Sequence, residues 1–326
     1  MSRTQDTILD LMTSGEPSVR YKLLVNVLGQ DPYSLETMRL RLEIARSPRA
    51  TALLAQRDAD GRIPGHPYKK WTGAHWVLAD LADMGYPPGD DSLLPLREQV
   101  YEWLFGAAHQ RDMPEIAGRV RRHASQEGNA LYYLLALGLA DERTEELAQR
   151  LIEWQWADGG WNCDKRPEAE HSSFMETLTP LRGLSLHGRM TSAGETIKAA
   201  ARAAHVFLKR HLYKRRSDGT VMDESFTRLH YPCYWHYDIL FALKVMAEAG
   251  YIGDERCRDA LDLLESKQLP GGGWPAERSF YSGPTSSQRS GRSLVDWGGA
   301  SSKRMNPFVT ADALSVLKQA GRLQLQ

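Results

Sequence analysis

One pattern repeats along the chain: apolar segments with helical spacing alternate with charged, amphipathic segments. The apolar segments contain small residues and are apolar on nearly all sides, which is typical of buried helices. The five clearest of them cover residues 73–86, 128–141, 175–188, 236–251 and 310–321. Residues 17–29 form a weaker sixth member, with Pro17 at a favourable helix start. Because strand signals are almost absent, the pattern predicts an all-α protein.

The alternation also predicts how the helices are arranged. Amphipathic segments separate the apolar ones, most clearly at residues 92–110, 143–155, 194–212 and 254–268. Such alternation, at repeats of roughly 45–75 residues, is typical of stacked helical hairpins. Six buried helices suffice to close a ring, so we predict an (α/α)6 toroid with parallel inner helices and an outer helical layer. An open solenoid is the alternative, but polar capping repeats are missing. We expect one domain over residues 1–326.

Composition excludes several classes of protein. Lysine plus arginine equals aspartate plus glutamate at 41 each, so a nucleic-acid partner is not expected. The N-terminus lacks the features of a signal peptide, and no run approaches the ~18 apolar residues of a membrane helix. Three cysteines are too few for a disulfide framework. We expect a cytoplasmic protein that is not integral to a membrane, and the sequence does not indicate its oligomeric state.

Two tryptophan–glycine motifs follow amphipathic segments. The stretches "LIEWQWADGGW" and "LDLLESKQLPGGGW" share leucine, glutamine, glycine and tryptophan in the same order. We expect Gln155 and Gln268 to cap helix ends, while Trp161 and Trp274 pack against them. A third copy, "TALLAQRDADGRIP", carries Ile63 in place of the tryptophan. These motifs resemble the QW repeat of the terpenoid cyclases and protein prenyltransferases. The resemblance implies an α/α toroid around a cavity that binds an isoprenoid-like substrate.

A polar column precedes the apolar runs when the inner helices are aligned on their leucines. Its members are His75, Tyr132, Glu176, Asp238 and Asp312. Burial of such groups costs several kcal/mol each unless they are partnered or functional. Two interpretations are open. The side chains pair with one another and stabilise the barrel, or they face one enclosed space as catalytic groups, with His171 as a proton partner. Asp238 is the first choice of acid, because flanking Trp235 and Tyr237 would raise its pKa.

Aromatic and basic residues complete the predicted cavity. Aromatic faces can stabilise a carbocation, and the candidate wall residues are Trp71, Trp76, Tyr132, Tyr133, Phe174, Tyr234, Trp235, Tyr237 and Phe308. Lys69, Lys70, Arg121 and Arg122 precede consecutive inner helices, so they either bind an anionic head group at the rim or form a solvated basic surface. Residues 277–304 are rich in glycine and serine, which is typical of a lid or a flexible loop.

The family motifs are only partly present. Squalene–hopene-type cyclases start their reaction with an Asp-x-Asp-Asp-Thr-Ala motif, and the best match in this chain is "NPFVTADALSVL". Asn306, Phe308 and Val309 replace the three aspartates, so standard squalene cyclisation is not expected. Prenyltransferases bind zinc through Asp, Cys and His, and this chain offers Cys163, Asp164, His171, Cys233 and His236 near two rims. Their order does not match the family, which leaves both a cofactor-free protein and a zinc protein open.

The polar column predicts an enzyme that uses acid–base chemistry. The resemblance to the terpenoid cyclases implies that it acts on an isoprenoid or similarly apolar small molecule, as a cyclase, an isomerase or a lyase. Three alternatives remain. They are a zinc-dependent prenyltransferase-like protein, a carbohydrate-active lyase or hydrolase on the same architecture, and a binding scaffold without catalytic activity.

Overall fold

The computed structural model describes residues 3–111, 113–288 and 290–324, and these residues are mostly helical. The α-helices are α1 (Arg3–Met12), α2 (Pro17–Asn26), α3 (Leu35–Ala45), α4 (Pro48–Leu54), α5 (Ala74–Met84), α6 (Leu94–Leu104), α7 (Ala107–Arg111), α8 (Ala124–Ala136), α9 (Glu142–Trp154), α10 (Phe174–Thr191), α11 (Gly194–Leu208), α12 (Ile239–Glu248), α13 (Arg258–Ser266) and α14 (Pro307–Gln319). Short 3₁₀ helices cover Asp91–Leu93, Glu224–Thr227 and Glu255–Cys257. Two-residue strands β1 (Glu115–Ile116) and β2 (Arg119–Val120) pair antiparallel. The all-α prediction is confirmed.

Six helices form a closed ring, and they coincide with the six apolar segments of the sequence. Going round the ring, α2 contacts α5, then α8, α10, α12 and α14 follow in order, and α14 contacts α2 again. Outer helices pack on them: α3 on α2, α6 on α5, α9 on α8, α11 on α10 and α13 on α12. The helices thus form the predicted toroid. No helix in the described part of the chain is both long and apolar enough to span a membrane.

The inner helices α8 and α10 approach each other backbone to backbone. A Cβ atom at Gly128 would lie 2.3 Å from the Pro180 nitrogen, and one at Gly183 would lie 2.5 Å from the Gly128 carbonyl oxygen. Real Cβ atoms do not tolerate such distances, so only glycine fits at both positions. The Pro180 nitrogen that faces Gly128 carries no hydrogen, so the close approach of α8 leaves no N–H group without a hydrogen-bond partner. These small residues explain why α8 and α10 pack so closely.

The two tryptophan motifs fold alike, and we call them the tryptophan turns (residues 155–161 and 268–274). The Trp161 indole donates to the Leu151 carbonyl over 3.0 Å, and the Trp274 indole donates to the Leu264 carbonyl over 2.7 Å. In both turns the acceptor lies ten residues earlier, on the outer helix that has just ended. Both indole rings are buried. Each tryptophan therefore fastens its turn to the preceding outer helix.

Each tryptophan turn is also tied to the next inner helix. The Trp161 backbone N–H donates to the Thr177 hydroxyl of α10 over 3.2 Å. The Trp274 backbone N–H donates to the Thr310 hydroxyl of α14 over 2.9 Å. In both turns the hydroxyl of an inner-helix threonine accepts the hydrogen bond of the tryptophan backbone N–H. The motif therefore links an outer helix to an inner one.

The two glutamines of the tryptophan turns differ. Gln155 caps as expected, because its amide donates over 2.8 Å both to the Gly159 carbonyl and to the Ala199 carbonyl of α11. Gln268 is exposed, and its amide reaches only the Thr4 hydroxyl of α1 over 3.5 Å. The expectation of backbone capping by Gln268 is therefore not met, because its contact with the neighbouring helix α1 is to a side-chain hydroxyl, whereas α11 offers Gln155 a backbone carbonyl.

Candidate active site

A small cavity lies inside the ring of inner helices. Its lining comes from α5, α8, α10, α12 and the segment before α12: Ala79, Asp80, Asp83, Asn129, Arg182, Pro232, Cys233, Tyr234 and Phe241. The cavity volume is about 30 Å³, which is room for one or two water molecules. It brings two acidic side chains, a guanidinium and two aromatic rings to the inside of the barrel.

Asp80 is the acidic group most affected by this cavity. Its side chain is buried, and its Oδ2 has no hydrogen-bond partner among the described residues. Burial raises the pKa of Asp80 well above its usual value, and the nearby charge of Asp83 raises it further. A carboxyl group in such surroundings keeps its proton to a higher pH than a solvated one and can act as an acid.

Asp83, one helical turn further along α5, has the opposite environment. Its carboxylate accepts hydrogen bonds from Lys22 over 2.9 Å and from Lys244 over 2.6 Å, and Arg182 lies 3.7 Å away. Burial acts to raise its pKa, but these three cations hold the pKa of Asp83 well below its usual value. The pKa values of two aspartates three residues apart are therefore shifted in opposite directions, because their surroundings differ.

The sequence carried a signal for this pair that the leucine alignment passed over. The segment "GAHWVLADLADMGY" places Asp80 and Asp83 within a helix that is otherwise apolar and buried. Burying a carboxyl group there costs several kcal/mol unless it is partnered or functional. The leucine alignment reads only the one position just before each apolar run, so it selects His75 and misses both aspartates.

A second, larger pocket opens where the inner helices end. It has a volume of about 320 Å³, and the last residues of several inner helices line it, among them Asn26, Ala136 and Glu248. Asp83 and Arg182 line both this pocket and the inner cavity. These two side chains therefore stand between the buried Asp80 and the open end of the barrel.

Two members of the predicted polar column belong to this second pocket. Asp312 accepts hydrogen bonds from Lys22 over 3.1 Å and from Lys244 over 3.0 Å. The Tyr132 hydroxyl accepts one from Arg182 over 2.8 Å. Both side chains line the pocket, yet both are bound to cations of the barrel itself. They tie inner helices together, which is the structural alternative that the sequence left open.

His75 lies apart from that pocket. It is fully buried, and its ring nitrogens face the Tyr133 hydroxyl at 3.0 Å and the Asn129 amide at 3.3 Å. Burial, with a smaller contribution from His109, lowers the pKa of His75 to about 3. The ring is therefore neutral at physiological pH and already has partners for both of its nitrogens.

Asp238 caps a helix. It precedes α12, and its carboxylate accepts hydrogen bonds from the backbone N–H groups of Phe241 over 2.7 Å and of His230 over 2.8 Å. The His230 ring lies 2.7 Å from the same carboxylate. The expectation that the five column residues share one enclosed space is therefore wrong. An alignment on leucines does not record how far along the barrel axis a residue lies. Asp238 precedes α12, whereas Tyr132 is the ninth residue of α8, so the two lie at different levels of the barrel.

Glu176 lies in a third place, at the start of α10. Its Oε1 is 3.1 Å from the His123 ring, and its Oε2 accepts the Ser125 backbone N–H over 3.0 Å. Cys163 joins this group, so that one ligand atom from each of His123, Cys163 and Glu176 lies within 4.8 Å of the others. Hydrogen bonds with Cys163 and then Glu176 raise the pKa of His123 to about 10.

The predicted five-residue metal site is not assembled. Asp164 pairs with Arg166 at the surface, and His171 is exposed. Cys233 lines the Asp80 cavity instead, and the His236 ring stacks on Phe280 at 3.5 Å. Within the described ranges, the one group of three metal-ligating side chains is His123, Cys163 and Glu176. Only Cys163 of the predicted set belongs to it, because neighbouring loops bring different residues together than the sequence spacing indicated.

The predicted aromatic wall is present in part. Trp71, Trp76 and Tyr234 form a cluster of their own, and Trp235 packs against it. The rings of Trp71 and Tyr234 are stacked, with their centres 3.9 Å apart and their planes at 4°. Because Tyr234 also lines the Asp80 cavity, the aromatic cluster begins directly beside the acid.

The remaining predicted wall residues lie in the helical core. Phe174 and Tyr237 pack on each other and on Phe207 of the outer helix α11. Phe308 stacks on Tyr231, and Tyr133 contacts His75. None of the four lines either pocket. A helix that is apolar all round has an outer face as well as an inner one, and the sequence alone did not separate them.

The basic rim is only partly available for an anion. Arg121 is buried and donates to two backbone carbonyls, and Arg122 is buried against Glu127. Lys69 and Lys70 are exposed. The two arginines are therefore structural, and for them both expectations, the anion-binding rim and the solvated basic surface, are wrong.

No protein-family model and no curated protein matches this chain. Among solved structures, 98% of the chain aligns with 98% of a protein from Actinoplanes at 16% identity and a TM-score of 0.47. In another alignment, 94% of the chain matches 88% of the type II terpene cyclase MstE from Scytonema in complex with geranylgeranyl dihydroxybenzoate, at 14% identity and a TM-score of 0.42. These similarities are too low to assign the chain to a family.

Proposed function

We propose that this protein is an acid–base enzyme that protonates a carbon–carbon double bond of an isoprenoid or similarly apolar small molecule, with Asp80 as the acid. The observation that carries the proposal is the state of Asp80: its side chain is buried, its Oδ2 has no hydrogen-bond partner among the described residues, its pKa is raised, and it lines the small cavity inside the ring. The QW-like turns support the isoprenoid class, since they are the sequence feature that resembles the terpenoid cyclases.

The chemistry balances as an isomerisation. Asp80 gives its proton to one carbon of the double bond, whose π electrons form the new C–H bond and leave a cation on the other carbon. A second double bond of the substrate attacks that cation when a ring closes. Water that reaches the site from the larger pocket then takes a proton from a neighbouring carbon, which restores a double bond, and returns that proton to the Asp80 carboxylate. Tyr234 and Phe241 are the aromatic rings of the cavity lining and supply the electron-rich groups that stabilise such cations, and Trp71 and Trp76 pack behind Tyr234.

The neighbours of Asp80 can stabilise both its protonated form and its carboxylate form. Before the transfer, the negative charge of Asp83 helps to keep Asp80 protonated. After the transfer, Asp80 is a carboxylate, and Arg182 in the same cavity lining provides a positive charge. Asp83 and Arg182 also border the larger pocket, which gives water a route by which Asp80 regains a proton.

The substrate needs more room than the cavity offers in this state. Ligand pockets have volumes of ~300–1,000 Å³, whereas the space beside Asp80 holds about 30 Å³. The segment 277–304 touches the aromatic cluster, because the Trp71 indole donates to the Phe280 carbonyl over 2.9 Å. We infer that this segment acts as a lid whose displacement opens the cavity. Arg289 within it lies outside the described residues.

The shape of the inner site favours a small apolar substrate over the carbohydrate alternative, because a polysaccharide needs a long open groove and the site beside Asp80 is a small cavity. The zinc-dependent alternative depends on a different group of residues, His123, Cys163 and Glu176. A scaffold without catalytic activity would not need a buried acid whose Oδ2 has no hydrogen-bond partner among the described residues, because burying such a group costs free energy.

The test uses heavy water. The purified chain is incubated in D₂O with linear isoprenoid alcohols and prenylated aromatic acids, and products are analysed by mass spectrometry. We expect an isomer of the substrate that carries deuterium at the protonated carbon. Asp80→Asn should abolish it, whereas Asp238→Asn, a matched change at a buried capping carboxylate, should retain it. Failure of the wild-type protein across the panel, or equal turnover by Asp80→Asn, would contradict the proposal.

A further inference from the structure

We propose that His123, Cys163 and Glu176 bind a zinc ion at the rim of the barrel, in a site separate from Asp80. The three residues come from different segments: His123 directly precedes α8, Cys163 follows the first tryptophan turn, and Glu176 lies in the first turn of α10. The toroid brings them together, and the proposal does not depend on the acid chemistry of Asp80.

The spacing of the ligand atoms suits a single ion. One atom from each residue lies within 4.8 Å of the other two, and the His123 Nδ1 and Glu176 Oε1 are 3.1 Å apart. Zinc bonds of about 2.0–2.3 Å in a tetrahedron place neighbouring ligands roughly 3.3–3.7 Å apart. A contraction of about 1 Å at the widest separation therefore suffices, which side-chain rotation at His123 and Cys163 can provide.

The surrounding backbone holds these ligands in place. The Ser125 N–H binds Glu176 Oε2 over 3.0 Å, which leaves Oε1 directed at His123. The Arg122 N–H donates to the Asn162 carbonyl over 3.2 Å, so the residues just before His123 and Cys163 are hydrogen-bonded to each other. Such outer contacts orient metal ligands and commonly change metal affinity by 10–100-fold.

The chemistry of the three donors selects zinc. A thiolate and a carboxylate together neutralise a divalent cation, and the imidazole adds a neutral nitrogen. A sulfur ligand disfavours magnesium and calcium, which prefer oxygen ligands only. Binding would release the thiol proton and the proton that His123 shares with its partners, because metal ligands must be deprotonated.

Three protein ligands leave the fourth position of a tetrahedral zinc ion free. His123 also lines a pocket of about 290 Å³, together with His66, Tyr68, Trp103, Ala108, His109, Arg122 and Gln126. Three ligands with an open position beside a pocket are the arrangement of catalytic zinc sites, whereas structural sites have four protein ligands. The open position would hold water that a small ligand in this pocket can replace.

The first test measures metal content. The full chain is purified without chelator and analysed by elemental mass spectrometry, with circular dichroism as the check on folding. We expect about one zinc per chain, a loss of at least tenfold in zinc affinity for Cys163→Ser and for Glu176→Gln, and no loss for the matched variant Cys233→Ser. Asp80→Asn should keep its zinc, so failure of either proposal can be recognised without the other.

The second test replaces zinc with cobalt. Co²⁺ added to the metal-free chain should produce a sulfur-to-metal absorption band that Cys163→Ser abolishes and Cys233→Ser retains. A folded wild-type chain that takes up neither zinc nor cobalt would overturn the proposal. A Cys163→Ser variant that keeps the full zinc content, or a cobalt band that depends on Cys233, would overturn it equally.

Discussion

Asp80 and Asp83 show how strongly single residues in this barrel depend on their neighbours. Both are aspartates of α5, three residues apart, and both line the same cavity. Burial dominates at Asp80 and raises its pKa, whereas Lys22, Lys244 and Arg182 lower the pKa of Asp83. Pairs of titratable groups that are pushed apart in this way are characteristic of acid–base sites.

The raised pKa of Asp80 predicts a pH-dependent stability. In the folded state Asp80 keeps its proton above the pH at which the unfolded chain loses it. Stability must then fall as pH rises from about 4 towards the folded pKa, by up to about 1.4 kcal/mol per pH unit. Asn is neutral throughout, so Asp80→Asn should gain stability relative to wild type between about pH 5 and pH 8. Thermal melts across this range check it.

The control is Asp10→Asn, which changes an exposed aspartate of α1 and should follow the wild-type curve. A difference between Asp80→Asn and wild type that stays constant with pH would show that Asp80 is ionised in the folded protein.

At the scale of elements, the tryptophan turns connect outer helices to inner ones. Trp161 and Trp274 are each 1% exposed, and both make the same pair of bonds to an outer-helix carbonyl and an inner-helix threonine. Deleting a buried aromatic side chain typically costs ~3–5 kcal/mol. We expect Trp161→Ala and Trp274→Ala to lose that much stability in urea unfolding.

Tyr33→Ala is the matched control for these changes, since the Tyr33 ring is 77% exposed and should contribute less than about 0.5 kcal/mol. If the tryptophan variants unfold like wild type but lose ligand binding, these residues belong to the active site and do not stabilise the fold.

The helices and the tryptophan turns can be predicted from the sequence, because the helices follow a local apolar periodicity and the turns carry a repeated local motif. The apolar pattern predicts an inner helix over residues 310–321, and α14 covers Pro307–Gln319. The site is not accessible in the same way. Which face of α5 meets the cavity, and at what height, depends on how the ring closes, so the alignment selects the capping Asp238 and passes over Asp80. The His123–Cys163–Glu176 group depends on loop packing, which leaves no periodic signal.

At the scale of the whole molecule, a largely buried charge network joins four helices of the ring. Lys22 of α2 and Lys244 of α12 both bind Asp83 of α5 and Asp312 of α14. The network bridges the contact between α14 and α2, where the last inner helix meets the first. We propose that this closure makes residues 1–326 a single domain.

Breaking the network should therefore destabilise the ring. Asp312→Asn leaves Lys22 and Lys244 with Asp83 as their shared counter-charge. Removing one partner of a buried ion pair typically costs ~3–5 kcal/mol, and we expect a loss of that size in urea unfolding. Adding Lys244→Met should restore part of it, because one unpaired charge is removed. If Asp312→Asn unfolds like wild type, the network does not hold the ring closed.

The protonation of Asp80 at neutral pH is the most direct test of the proposed acid chemistry. Infrared spectroscopy detects the C=O stretch of a protonated carboxyl group apart from that of a carboxylate. The difference spectrum between wild type and Asp80→Asn, recorded at about pH 7, should contain one protonated carboxyl band that wild type has and the variant lacks. A difference spectrum that shows only the loss of a carboxylate band would contradict the role of Asp80 as the acid.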